Sequence, residues 1–211
     1  MTGNTTIGDR TRSVAVVGRL VFDDSGNVSG TSSASFTGIT LGNPVTGKYE
    51  AHWDCSVTWS LQDDSGGYQH FAGTMSTYGR RVVFRQTDPG GAVNGILLRT
   101  MDGCSEAGLK GKFDLTISGR AIDVDTAIES GYVSQAGLLT ADGAGGVAFL
   151  RQPDTPLIGG SYRVRADCSV ELTLESEPAM HFRAILVDEG REVLGIQTDP
   201  GTTVTLRMVG K

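Results

Sequence analysis

The chain has 211 residues, with 18 Lys+Arg against 24 Asp+Glu, a net charge of −6 and a pI near 5.0. A phosphate-binding surface needs a clustered positive field, so this balance excludes nucleic acid as the expected partner and disfavours an anionic membrane. The 30 glycines, about twice the usual share of roughly 7%, point to many tight turns.

In chain order, alternating polarity predicts strands near 13–22, 27–36, 47–53, 55–62, 67–76, 79–86 and 92–101. Only the weak segment Thr2–Gly8 is left to supply a first strand, so the barrel these strands build is expected to be incomplete or to borrow an edge. Thr100–Leu109, with Gly103 and Gly108, reads as the connector between domains 1–102 and 103–211, with one helical turn at Ser105-Glu106-Ala107. Further strands follow near 109–119, 131–140, 144–151, 160–166, 168–175, 179–187, 190–197 and 202–209, with a second helical segment predicted at Asp123–Glu129. Asp23-Asp24-Ser25-Gly26-Asn27, Asp63-Asp64-Ser65-Gly66-Gly67, Asp142-Gly143-Ala144-Gly145-Gly146 and Asp188-Glu189-Gly190 supply the positive-φ positions that hairpins require. No run of about 18 apolar residues occurs, and the N-terminus lacks a basic start followed by an apolar stretch. A cytoplasmic protein is the simplest expectation unless a signal has been removed.

The chain repeats itself. Gly47-Lys48-Tyr49-Glu50-Ala51-His52-Trp53-Asp54-Cys55-Ser56-Val57 reads against Gly160-Ser161-Tyr162-Arg163-Val164-Arg165-Ala166-Asp167-Cys168-Ser169-Val170, an offset of 113 from Tyr49 to Tyr162. His70-Phe71 recurs as His181-Phe182, and Gln86-Thr87-Asp88-Pro89-Gly90 as Gln197-Thr198-Asp199-Pro200-Gly201, both at an offset of 111 (His70 to His181). Gly18-Arg19-Leu20 through Asp23 and Gly26 matches Gly137-Leu138-Leu139 through Asp142 and Gly145, an offset of 119 (Gly18 to Gly137). Order is kept while loops change length, which signals duplication. The expected fold is therefore all-β, two tandem antiparallel barrels of seven to eight strands, with each Asp-Cys pair a turn whose Asp bonds nearby backbone N–H groups.

The motifs of common nucleotide-binding, zinc-protease and α/β-hydrolase sites are absent. Cys55, Cys104 and Cys168 form no C-x-x-C pair; they read as buried thiols, or as a Cys104–Cys168 disulfide that leaves Cys55 unpaired. His70 and His181 each precede a Phe, so on a strand they face away from it. They are surface or inter-repeat residues, polar groups of a ligand cavity able to act as general acid or base, or metal ligands. Gln-Thr-Asp-Pro-Gly reads as a tight turn. Tyr49 and Tyr162 sit on the apolar face, where the hydroxyl needs either a structural partner or a ligand. Trp53, Trp59, Tyr68, Phe71 and Phe84 form the bulky aromatic set of repeat one, against Ala166, Leu172, Met180 and Phe182 in repeat two. Such rings fill a barrel or line a ligand cavity, in either repeat.

The pattern Gly-x-Tyr followed by Ala-Asp-Cys-Ser-Val and then Gly-Arg-Glu through Gln-Thr-Asp-Pro-Gly resembles a group of bacterial tandem β-barrel repeats over most of both copies. The overall plan is similar to lipocalin and allene oxide cyclase barrels, and to the barrel [4+2] cyclases of actinobacterial spirotetronate and tetronate-polyether polyketide pathways. What this resemblance implies is a cofactor-free, metal-free cyclase or isomerase that folds a hydrophobic polyketide, or alternatively a lipocalin-like carrier of a hydrophobic small molecule. It implies catalytic roles for His70, His181, Tyr49 and Tyr162, and substrate contacts from Trp53, Trp59, Tyr68, Phe71, Phe84, Met180 and Phe182. A homodimer is a further expectation, as is a structural protein that associates through the open edge of repeat one.

Overall fold

The computed structural model describes residues 1–7, 10–64 and 66–211, with the side chains of residues 4–11 and 77 left aside. Repeat one contributes β1 (Thr2–Ile7), β2 (Arg10–Phe22), β3 (Asn27–Phe36), β4 (Ile39–Ala51), β5 (Ser56–Asp63), β6 (Tyr68–Met75), β7 (Arg81–Gln86) and β8 (Asn94–Leu98). Repeat two contributes β9 (Lys110–Asp123), β10 (Ile128–Asp142), β11 (Gly146–Leu150), β12 (Ile158–Val164), β13 (Ser169–Leu174), β14 (Met180–Val187), β15 (Glu192–Gln197) and β16 (Thr202–Gly210). Each set closes into an eight-stranded antiparallel barrel. The weak first segment of repeat one is a strand after all, although Gly8 lies outside the described residues, as does Ser65 of the turn that follows β5. The helix predicted at Asp123–Glu129 is instead a hairpin turn between β9 and β10, with Ala127 at φ 53° and Asp123 accepting from the Thr126 N–H. The segment is too short and too poor in apolar residues to bury a helical face. The helical turn of the connector is present at Glu106–Gly108.

Alternation decides what fills each barrel, because every second side chain of a strand points inward. In repeat two, Leu115 and Ile117 on β9, Leu139 on β10, Phe149 on β11, Leu174 on β13 and Leu186 on β14 are all essentially inaccessible to solvent. The end of this barrel is stoppered by the connector. Met101 and Cys104 pack on the core, Leu109 is fully buried, and the Tyr162 hydroxyl donates to the Leu109 carbonyl at 2.7 Å. Cys104 and Cys168 form a disulfide that pins the stopper to the β12–β13 turn.

Repeat one is built on the same register but holds a smaller core cluster, seven buried apolar residues among the described ones, Trp59 included. Leu20 pairs with Gly30 as Leu139 pairs with Phe149, so a glycine stands where repeat two has one of its largest core side chains. A Cβ on Gly30 would sit 1.9 Å from the Arg19 carbonyl, so no larger side chain fits that backbone. Phe84 faces Gly95, whereas the equivalent pair in repeat two is Gly195 with Leu206, a swap of large and small across one rung. Finally, β9 spans fourteen residues and β1 six, and among the described residues β1 meets β8 through the single pair Thr2–Asn94. The inward Phe113 and Leu115 of β9 have no counterpart on β1.

The barrels touch along their outer walls. Ala15 and Ser35 of β2 and β3, and Ile196 and Thr203 of β15 and β16, face outward yet are buried. Ser35 Oγ donates to the Thr202 carbonyl at 2.5 Å, the Gly201 N–H to Gly38 at 2.8 Å, and the Asp188 N–H to Arg99 at 3.0 Å.

Removing the stopper's anchor tests this division. The Cys104→Ser substitution, or reduction, is expected to destabilise repeat two by about 2–4 kcal/mol, read as a lower denaturant midpoint by circular dichroism. Both tryptophans lie in repeat one, so the emission of buried Trp59 at low denaturant stays native in that variant.

Candidate functional site

The missing bulk leaves a cavity of about 760 Å³ in repeat one, within the range of small-molecule pockets. Val57, Trp59 and Leu61 of β5 form one wall, Val82 and Phe84 of β7 with Leu97 of β8 another, and Leu20, Phe22 and Tyr49 a third. Strand parity explains the grouping: the pairs Tyr49–Trp59, Phe84–Gly95 and Val82–Leu97 place all of these inward. Val17 and Arg19 from the outer face of β2, with Ile185, Val187, Leu194, Thr205 and Arg207 from the outer wall of repeat two, complete the lining, so the cavity extends from the interior of repeat one to the seam between the barrels. Trp59 is the centre of the aromatic packing, stacked on Phe71 at 5.3 Å and edge-on to Phe84 at 5.0 Å.

The cavity lies toward the end of the barrel that carries the 23–26, 52–55 and 77–79 turns, with Ala51, Met75, Gly79 and Thr100 among its lining. This is the end that the connector closes in repeat two. Around it stand Phe22, 38% exposed, Trp53, 97% exposed, and Tyr78, 92% exposed. Their counterparts in repeat two are Ala141, Ala166 and Glu189.

Of the residues singled out in the sequence, Tyr49, Trp59 and Phe84 line the cavity, and Phe71 supports Trp59 from the same core. Trp53 does not point inward: β4 ends at Ala51 and Cys55 adopts φ 65°, so alternation stops before the indole. Tyr68 is 59% exposed because it is three residues from inward Phe71, an odd step, and it stacks outside on His70. Met180 and Phe182 are buried in the packed core of repeat two. The Tyr162 hydroxyl is taken up by the stopper, and burial raises its pKa while backbone hydrogen bonds oppose the rise. The Tyr49 hydroxyl donates to the Asp23 carbonyl at 2.5 Å. Cys55 is exposed rather than a buried thiol, since its turn carries no stopper.

His70 and His181 lie outside the barrels, more than half exposed, and neither lines the cavity. Each is held by the aspartate of the Asp-Pro-Gly turn two strands' ends away. His70 Nδ1 lies 2.7 Å from Asp88 Oδ1 while the His70 N–H donates to Oδ2 at 2.7 Å, and His181 with Asp199 repeats this at 2.7 and 2.8 Å. Gln86 and Gln197 donate to the same carboxylates at 3.0 and 2.9 Å. In sequence, Gln-Thr-Asp-Pro-Gly reads as a turn alone. The signal that would have joined the motif to the histidine was their shared offset of 111, His70 to His181 and Asp88 to Asp199. Among the described residues, no three of His, Cys, Asp and Glu gather as a metal site.

Partial burial raises the pKa of Asp88 and Asp199, but hydrogen bonds from the histidine N–H and side chain and from the glutamine outweigh it, so both stay below the ordinary carboxylate value. A depressed folded-state pKa stabilises the protein above the unfolded value of about 3.9 and is lost as pH falls through the lower folded one. The Asp199→Asn substitution is expected to cost about 1–3 kcal/mol at pH 7. It also flattens the loss of stability below about pH 4, followed by urea unfolding at a series of pH values.

No family model, no curated protein and no solved structure matches this chain.

Proposed function

We propose that repeat one binds an apolar small molecule inside its barrel, and that repeat two serves as the packed support. The observation that carries this reading is the contrast between the duplicates: one interior holds a cluster of 22 buried side chains under a stopper, and the other borders a cavity of about 760 Å³ lined by aromatic and aliphatic side chains. A cavity left empty loses the packing energy of its lining, at about 24 cal/mol per Å³, so a guest that fills it recovers a large favourable term.

The cyclase reading uses the same cavity. What favours it is that Trp59, Phe84 and Phe22 converge on one space and can hold a flexible polyene folded, which lowers the entropic barrier to ring closure without a nucleophile. Against general acid–base help stands the distance of both histidines from the lining and the engagement of the Tyr49 hydroxyl with Asp23. Binding is therefore the primary proposal, and ring closure is an outcome of its test. The Cys104–Cys168 disulfide supports an oxidising compartment over the cytoplasm.

Native mass spectrometry with a panel of linear apolar polyenes, followed by chromatography of the released ligand, separates the readings. A polyene that binds and returns unaltered identifies a carrier, one that returns as an isomer of equal mass identifies a cyclase, and no binding overturns both. Val57→Phe is expected to fill the cavity and weaken binding about tenfold or more at little cost to stability. Its equivalent Val170→Phe, in the packed barrel, is expected to cost about 1–3 kcal/mol in denaturant unfolding.

A further inference from the structure

The lining of the repeat-one cavity contains five arginines, Arg19, Arg80, Arg81, Arg99 and Arg207, and no aspartate or glutamate. This occurs in a chain whose net charge is −6, so the cavity runs against the sign of the whole protein. Arg80 pairs with Glu189 at 3.6 Å and Arg207 with Glu192 at 2.6 Å, both acids lying outside the lining. Among the described residues, the side chains of Arg81 and Arg99 have no hydrogen bond or ion pair. Arg19 Nε is buried without a hydrogen-bond partner. The carboxylate of Asp167, held first by Ser169, also feels the Arg19 charge.

The arginines are not spread evenly. Arg80 and Arg81 stand at the start of β7 and Arg99 just past the end of β8, joined by the Arg99 N–H to the Arg80 carbonyl at 3.2 Å. They occupy the turn-bearing end, while Trp59, Phe84 and Leu61 line the apolar wall further in. In repeat two the counterparts of Arg80, Arg81 and Arg99 are Arg191, Glu192 and Gly210, so one of the three positive charges is kept, one is reversed and one is lost. Arg80, Arg81 and Arg99 are solvent-exposed, Arg80 shared with Glu189 and the other two without an ion pair among the described residues, and a bound anion offers them the charge-assisted hydrogen bonds that arginine geometry favours.

We propose that the ligand is an amphiphilic organic acid, with its carboxylate at Arg80 and Arg99 at the mouth of the cavity and its apolar chain along Trp59, Phe84 and Leu61. This rests on the cavity of repeat one being the binding site. The test compares cis-parinaric acid, a fluorescent polyene acid, with its methyl ester, titrated into the full chain and into an Arg80→Gln/Arg99→Gln double variant. The acid is expected to bind about tenfold or more tightly than the ester to the native chain. The double variant loses that preference while ester affinity and Trp59 emission stay unchanged, and exposed Arg85→Gln, outside the lining, retains it. Equal affinity of acid and ester for the native chain, or a preference that survives in the double variant, overturns the carboxylate assignment and leaves the cavity reading standing. Failure of both probes to bind overturns the two together.

Discussion

An eight-stranded barrel encloses a fixed space that its own inward side chains must fill or else leave to a guest. Everything distinctive about this chain follows from how its two copies meet that constraint. Strand register is shared almost residue for residue, so the pairing scheme does not distinguish them. What differs is bulk at a few rungs, Gly30 against Phe149 above all, the length of the first strand, and the presence of a stopper. Small substitutions on a common frame therefore convert a solid barrel into a hollow one.

The turns carry the parts that both copies keep. Asp54 and Asp167 each accept from a serine N–H and hydroxyl two residues on, at 2.9 and 2.7 Å and at 3.1 and 2.7 Å, and hold the following cysteine at φ 65° and 68°. Asp88 and Asp199 clamp the histidine of a neighbouring strand. These are local devices that fix hairpin geometry, and their retention in both copies fits a structural duty. The cysteine itself has diverged in use, exposed in repeat one and bonded to the stopper in repeat two.

The fold was legible because its evidence is local: period-2 alternation, glycine-bearing turns and a repeat with constant offsets all survive in the order of residues. The eight strands of repeat two are recoverable to within a few positions, and the parity that puts Phe71 inside puts His70 outside. The site was legible only in part. Trp59, Phe84 and Tyr49 could be placed on an inner face, but Trp53 depended on where β4 stops and Tyr68 on an odd step from Phe71. Which barrel is hollow was hidden for a different reason. It depends on comparing side-chain volumes at paired rungs and on the course of the connector, and both appear only once strands are aligned across the sheet. The arginine lining was hidden similarly, since Arg19, Arg80, Arg99 and Arg207 are scattered in sequence and come together only by closure.

The stopper also divides the burden of mutation between the copies. Repeat two, filled and covalently pinned, holds most of the deeply buried apolar surface, so substitutions there are constrained by packing on every side. Repeat one lines a space with slack in it, and changes of size or shape among its inner residues alter what fits without touching the core that keeps the chain folded. Duplication here separates a copy constrained by packing from a copy whose interior tolerates change, and on the proposed binding role drift in one barrel alone is enough to alter what the chain takes up.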